Sequence, residues 1–158
     1  MTLEIRPARP DESSLVFAFI RKLADYEKLA HEMMAREEDI HAALFGPVPR
    51  CHCDLAFWSG EPAGLALWYY NFSTFAGKAG IYLEDLYVEP HLRGRGIGKA
   101  LLKNLARRCV AGGLGRLQWA VLDWNEPSIA LYQAMGATPI DDWTLYRLSG
   151  DALERLAT

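Results

Sequence analysis

Gly80-Ile81-Tyr82-Leu83-Glu84-Asp85-Leu86-Tyr87-Val88-Glu89-Pro90-His91-Leu92-Arg93-Gly94-Arg95-Gly96-Ile97-Gly98-Lys99-Ala100-Leu101-Leu102-Lys103-Asn104-Leu105-Ala106 is the stretch that decides the fold. Ile81 to Val88 is dense in aliphatic and aromatic residues, which predicts a buried strand, and Pro90 ends it. Arg93 to Gly98 is a cationic, glycine-rich loop. Ile97, Leu101, Leu102, Leu105 and Ala106 then recur as the apolar stripe of a helix. Strand, loop and helix start in that order predict an anion site. Free N–H groups at the helix start point outward, the positive end of the dipole adds to them, and missing side chains let a phosphate come close.

Other glycine loops fit less well. A P-loop needs Ser or Thr after its Gly-Lys, and Gly98-Lys99 is followed by Ala100. A Rossmann turn sets its first glycine almost directly after the strand, whereas Glu89 to Arg93 intervene here. On the loop alone, a glycine-rich helix cap with no ligand stays open.

The chain of 158 residues fits one domain with a real core. Its 51% hydrophobic and 23% charged residues describe a globular protein. A net charge of −3 gives no electrostatic case for nucleic acid. No apolar run approaches membrane-spanning length, and the first residues do not read as a secretory signal. Three cysteines without a signal peptide predict a reducing, cytoplasmic setting with no disulfide framework.

Leu3 to Arg6 alternates as a first strand. Pro10-Asp11-Glu12-Ser13-Ser14 is a helix start with Asp11 as its expected cap, and Leu15, Phe19, Ile20, Leu23 and Tyr26 follow at helical spacing. Glu27 lies at the far end of this helix, where an acid opposes the dipole: it is either solvated or faces something positive. A helix is expected from Glu37 to Phe45, then a hairpin of strands Cys51–Trp58 and Gly64–Asn71. Gly112-Gly113 stops the loop helix, and Arg116 to Leu122 reads as a strand parallel to the one ending at Val88. A short helix, Pro127 to Met135, a last strand, Trp143 to Leu148, and a closing turn from Asp151 complete the chain.

Asn125, Ser128 and Tyr132 recur at spacings of three and four and share one polar helical face. Singly, Asn125 reads as a cap and Tyr132 as an amphipathic surface residue. Together with the first stretch they say more. Tyr82-Leu83-Glu84-Asp85-Leu86-Tyr87-Val88, Arg93 to Gly98 and Trp124-Asn125-Glu126-Pro127-Ser128-Ile129-Ala130-Leu131-Tyr132 stand in order. In this they resemble the GNAT superfamily of acetyl-CoA-dependent N-acetyltransferases, and within it the spermidine/spermine (diamine) N-acetyltransferase-like family. The similarity runs from Ile5 to Trp143.

The resemblance implies a mixed α/β GNAT fold over residues 1–158 as a single domain. Its central, mostly antiparallel sheet would have about six or seven strands and helices on both faces. Two parallel strands, ending near Val88 and Leu122, would splay to admit acetyl-CoA. By the same match Leu86 and Val88 pair with the pantetheine arm, and Arg93, Gly94, Arg95, Gly96, Ile97, Gly98 and Lys99 hold the pyrophosphate. Asn125, Ser128 and Tyr132 touch the rest of CoA. Glu27, Glu84, Asp85 and Trp143 approach the amine. The chemistry is consistent with the residue types. An alkylammonium with pKa near about 10.4 must lose a proton before it attacks, and Glu84 can accept it, directly or through water. Glu84 and Asp85, by alternation, would point to opposite faces. A phenol with pKa about 10 keeps its proton at neutral pH, so Tyr132 can protonate the departing sulfur. The family implies a homodimer, a small-molecule amine substrate, direct transfer in a ternary complex and no metal.

The chain departs from the polyamine-using members between Phe72 and Gly77, where they carry an acid and Ser73, Thr74 and Phe75 offer none. Tyr70 to Thr74 and Ala120 to Asn125 resemble instead the branch that prefers thialysine, a lysine-like amino acid. Acetylation of protein lysines or N-termini, and a CoA-binding module without chemistry, remain alternatives. Cys51-His52-Cys53 reads as packing rather than a metal site, for want of a second ligand cluster. Cys109 lacks a partnered base and does not read as an acyl carrier.

Overall fold

Apolar alternation broken by tight turns folds the first part of the chain into a meander. The computed structural model describes residues 1–158, and the chain divides into two compact units, Met1–Leu122 and Asp123–Thr158. In the first unit strands β1 (Leu3–Pro7), β2 (His52–Trp58), β3 (Glu61–Ser73), β4 (Lys78–Val88) and β5 (Leu117–Trp119) form one sheet in the order β1-β2-β3-β4-β5. All neighbours are antiparallel except β4 and β5, which are parallel. Ser59 and Gly60 join β2 to β3 with φ of 49° and 84°, the two positive values of a type I′ hairpin turn.

Helices α1 (Ser13–Tyr26) and α2 (Glu37–Phe45) cover one face of this sheet. Val16, Phe19 and Leu23 of α1 and Leu44 of α2 bury against Cys53, Leu55, Leu65, Leu67 and Tyr87, the inward residues of β2, β3 and β4. Helix α3 (Ile97–Ala111) covers the other face through Ile97, Leu101, Leu102, Leu105 and Cys109. There Asp54 is buried, and it accepts hydrogen bonds from Trp68 Nε1 (3.2 Å), Asn104 Nδ2 (3.2 Å) and Arg108 Nη2 (2.8 Å). One carboxylate thus ties β2, β3 and α3 together, and the charge is tolerated because its lone pairs are filled.

The mixed, mostly antiparallel sheet is as expected, with five strands, slightly fewer than the six or seven anticipated. Several expectations need correction. Asp11 caps nothing: Pro10–Glu12 forms a turn of 3-10 helix before α1. Glu12 accepts the Arg9 N–H and both arms of Arg6, each at 2.8 Å, and the Arg6 fork draws its carboxyl down to about 2. Strand β5 is shorter than Arg116–Leu122 because its pairing with β4 stops at Leu83 and Trp119. The hairpin of β3 and β4 is longer than expected and turns tightly at Thr74–Gly77, where Ser73 Oγ accepts the Ala76 N–H at 3.2 Å. The side chain at position 73 is committed to that turn.

The second unit holds α4 (Glu126–Ala134) and α5 (Gly150–Ala157). Trp143–Leu148, expected as the last strand, forms no ladder. A strand needs extended backbone beside it, and within this unit the two helices offer none.

Candidate active site

Strand β4 carries the site because half of it has a partner on one side only. Ile81, Tyr82 and Leu83 pair with Leu117, Gln118 and Trp119, and no pairing with β5 continues past Leu83. From Asp85 to Val88 the strand stays hydrogen-bonded to β3. The peptide groups can be oriented from one bond, Glu89 N–H to the Ala63 carbonyl at 2.8 Å. Direction alternates along a strand, so Asp85 and Tyr87 also address β3. Leu86 and Val88 turn their N–H and C=O away from it, to the side β5 has left.

The loop after β4 is shaped by its glycines. Gly94 and Gly96 have φ of 79° and 81°, and a Cβ on either would project into open space. Gly96 is the N-cap of α3, and no side chain caps that helix. The first amides of α3 are therefore not claimed by a cap. Arg93 does not aim its side chain at this loop. Its Nε donates to the Val88 carbonyl at 2.9 Å, and its guanidinium lies over the rings of Tyr26 and Tyr87 at 4.8 and 5.7 Å. Arg95 lies over Trp58 at 5.5 Å. The loop offers backbone donors in a cationic setting.

Three carboxyl groups gather on the α1 side of β4. Leu67 pairs with Asp85 and Trp68 with Leu83, so Glu84 is the extra residue of a β-bulge. This replaces the simple alternation expected for the pair: the bulge exposes Glu84, and Asp85 turns in on the face of Leu67 and Tyr87. Burial, with the charges of Glu84 and Glu27, pushes the Asp85 carboxyl up to about 7. Glu27, at the C-terminal cap of α1, is raised by burial and by Glu84. Glu84 and Glu27 both act on Asp85, Glu84 acts on Glu27 as well, and none of the three pairs with a basic side chain. The half-buried Cys51 thiol borders the group and is raised by burial and by Asp85 and Glu84. An acidic group with no cation of its own favours a cationic ligand.

Tyr69 escaped the sequence reading. Its hydroxyl stands 3.4 Å from Glu84 Oε2, and its ring lies against Tyr82 with centroids 5.3 Å apart. No local signal marks it, because Tyr69 meets Glu84 only through the pairing of β3 with β4. Cys109 is raised by burial and donates to the Arg116 carbonyl at 3.7 Å, an environment for an inert thiol. His52 packs against Trp68 and meets Tyr70 edge-on, on the face opposite Cys53, so Cys51, His52 and Cys53 do not converge.

In the second unit Ser128 and Tyr132 lie one turn apart on α4, as expected, and Tyr132 is half-buried. Asn125 holds the N-cap position, but its side chain does not cap. Trp143 is 74% exposed.

A parallel pair that parts midway, an uncapped glycine loop opening a helix and an acid-lined bulge define an N-acetyltransferase of the GNAT type. Residues 17–137 match the acetyltransferase (GNAT) family, and the chain belongs to it. It is 38% identical to the thialysine N-epsilon-acetyltransferase of Bos taurus over 97% of this chain and 96% of that one. It is 29% identical to an L-ornithine N5-acetyltransferase of Arabidopsis thaliana, over 99% of this chain and 88% of the relative. A solved integron cassette protein from the mobile metagenome of V. cholerae superposes with a TM-score of 0.82 at 28% identity, covering 99% and 98% of the two chains.

Proposed function

We propose that this enzyme moves the acetyl group of acetyl-CoA to the terminal primary amine of a small cationic substrate, a lysine- or ornithine-like amino acid or a diamine. The observation that carries this reading is the adjacency of a stretch of β4, Leu86 and Val88, whose outer edge has no strand partner, and of three carboxyl groups, Glu84 and Asp85 of β4 and Glu27 of α1, without a counter-cation. The names of the relatives narrow the amine toward amino acids.

The residues fit the cosubstrate. Leu86 and Val88 offer a strand edge suited to the amides of a pantetheine arm. Gly94, Gly96, Ile97, Gly98 and Lys99 offer backbone donors for a diphosphate, with Arg93 and Arg95 adding positive field. Asn125 and Ser128 would hold the remainder. Bound acetyl-CoA supplies a thioester carbonyl open to attack by a neutral amine.

Glu27 and Asp85 draw the ammonium in, with Trp143 completing the amine side. Glu84, exposed on its bulge, takes the proton that the amine must shed. Its solvent contact suits relay through water as well as direct transfer. Tyr132 gives its phenol proton to the departing sulfur. Residues 1–158 would act as one domain, and the three free cysteines suit a reducing cytoplasm. Exposed Trp143, Leu145 and Tyr146 favour a homodimer.

The test is thiol release from acetyl-CoA with a panel of thialysine, lysine, ornithine and linear diamines. Turnover with at least one amino acid of the panel is expected, and Tyr132→Phe should lower its maximal rate about 100-fold while leaving the acetyl-CoA KM near that of the parent. Silence across the panel overturns the reading, and an unchanged rate for the variant removes Tyr132 from its role.

A further inference from the structure

We propose that Tyr69 is a positioning residue for Glu84: its hydroxyl, on a ring fixed by Tyr82, holds the carboxylate that the bulge in β4 sets free. The inference rests on Glu84 being the proton acceptor, as above.

Glu84 is poorly placed to hold itself still. It is the unpaired residue of the bulge, it is exposed, and no cation grips it. A long acidic side chain in that setting samples many rotamers, whereas proton transfer needs it within hydrogen-bond reach of the amine. The group that meets Glu84 is the Tyr69 hydroxyl, 3.4 Å from Oε2.

Tyr69 itself is well held. It sits opposite Tyr82 in the β3–β4 ladder, and the rings pack at 5.3 Å with planes 30° apart. Burial, and next the Glu84 charge, push the Tyr69 phenol up, so it remains a proton donor toward the carboxylate throughout the working pH range. A separation of 3.4 Å is loose for a hydrogen bond between oxygens, and catalytic hydrogen bonds commonly tighten only with the reactants in place. Were Tyr69 simply part of the packing, its ring would matter and its hydroxyl would not.

A four-protein cycle separates these cases: the parent, Tyr69→Phe, Glu84→Gln and the double variant, assayed by thiol release with whichever amine of the panel the parent turns over. Phenylalanine keeps the ring against Tyr82, and thermal melting checks each fold. We expect Glu84→Gln to lose about 100-fold in kcat and Tyr69→Phe about tenfold, with the acetyl-CoA KM unchanged. The double variant should be no slower than Glu84→Gln, because a residue acting through another has nothing left to act on. Tyr70→Phe, next in the chain but on the opposite face, should match the parent. A Tyr69→Phe enzyme as fast as the parent overturns the proposal. So does a Tyr69→Phe loss repeated in full on the Glu84→Gln background, or an equal loss in Tyr70→Phe. A Glu84→Gln enzyme as fast as the parent identifies the failure as that of Glu84 itself and removes both roles.

Discussion

The backbone N–H of Glu89 donates to the carbonyl of Ala63 at 2.8 Å, and this bond sets the direction of every peptide group back to the bulge at Glu84. Because Tyr87 then addresses β3, Val88 faces the open edge. Val88→Pro should therefore remove a donor that the β3 ladder does not use. The expected result is an acetyl-CoA KM about tenfold higher, the equivalent of one hydrogen bond, with a melting temperature close to that of the parent. Tyr87→Pro, which cuts the ladder, should melt far lower. Equal effects of the two prolines on stability would contradict the orientation.

Asp85 links stability to pH. Its carboxyl lies at about 7 in the folded chain against an ordinary 3.8, so between those values the folded state keeps a proton that the unfolded state has lost. Stability on this account falls as pH rises through that window. Asp85→Asn should melt like the parent below the window and higher than the parent above about pH 7, by a few degrees per kcal/mol recovered. The same variant should bind the amine less well. Melting curves of both proteins across this range check the sign; a variant that loses stability at high pH would refute the assignment of Asp85 as an uncompensated, half-buried acid.

Asp54 tests how the loop helix is anchored. Asp54→Ala leaves Trp68 Nε1, Asn104 and Arg108 without their acceptor, and Arg108 Nε already lacks one. The cost should be about 2–4 kcal/mol by denaturant unfolding. A loss under about 0.5 kcal/mol, the scale of a surface change, would mean that the network does not hold α3.

Much of the fold was legible from local signals. Glu37–Phe45 was expected as a helix and is one, residue for residue, since Pro47 and the acidic first turn mark its ends. The strand ending at Val88, its glycine loop and α3 were equally plain, because period and punctuation are local. Features that depend on a distant partner were not. The bulge at Glu84 arises from register against Leu67 and Trp68, and no property of Glu84 in sequence announces it. For the same reason burial fell on Asp85, and Tyr69 became visible only once β3 lay beside β4. Trp143 to Leu148 has the alternation of a strand, but a ladder also needs a neighbour, which a single stretch of sequence does not supply. Of the residues that the resemblance assigns to the amine, Glu27 and Glu84 lie near enough to Asp85 to raise its carboxyl.

The central claim is that the edge of β4 beyond Leu83, together with the start of α3, receives acetyl-CoA through backbone groups. Residue-resolved amide hydrogen exchange with and without CoA tests it most directly. Added CoA should slow exchange at Leu86, Val88, Gly98 and Lys99, and leave Asp85 and Tyr87, already bonded to β3, as they were. Protection spread evenly over both sets, or absent from Leu86 and Val88, would contradict the account.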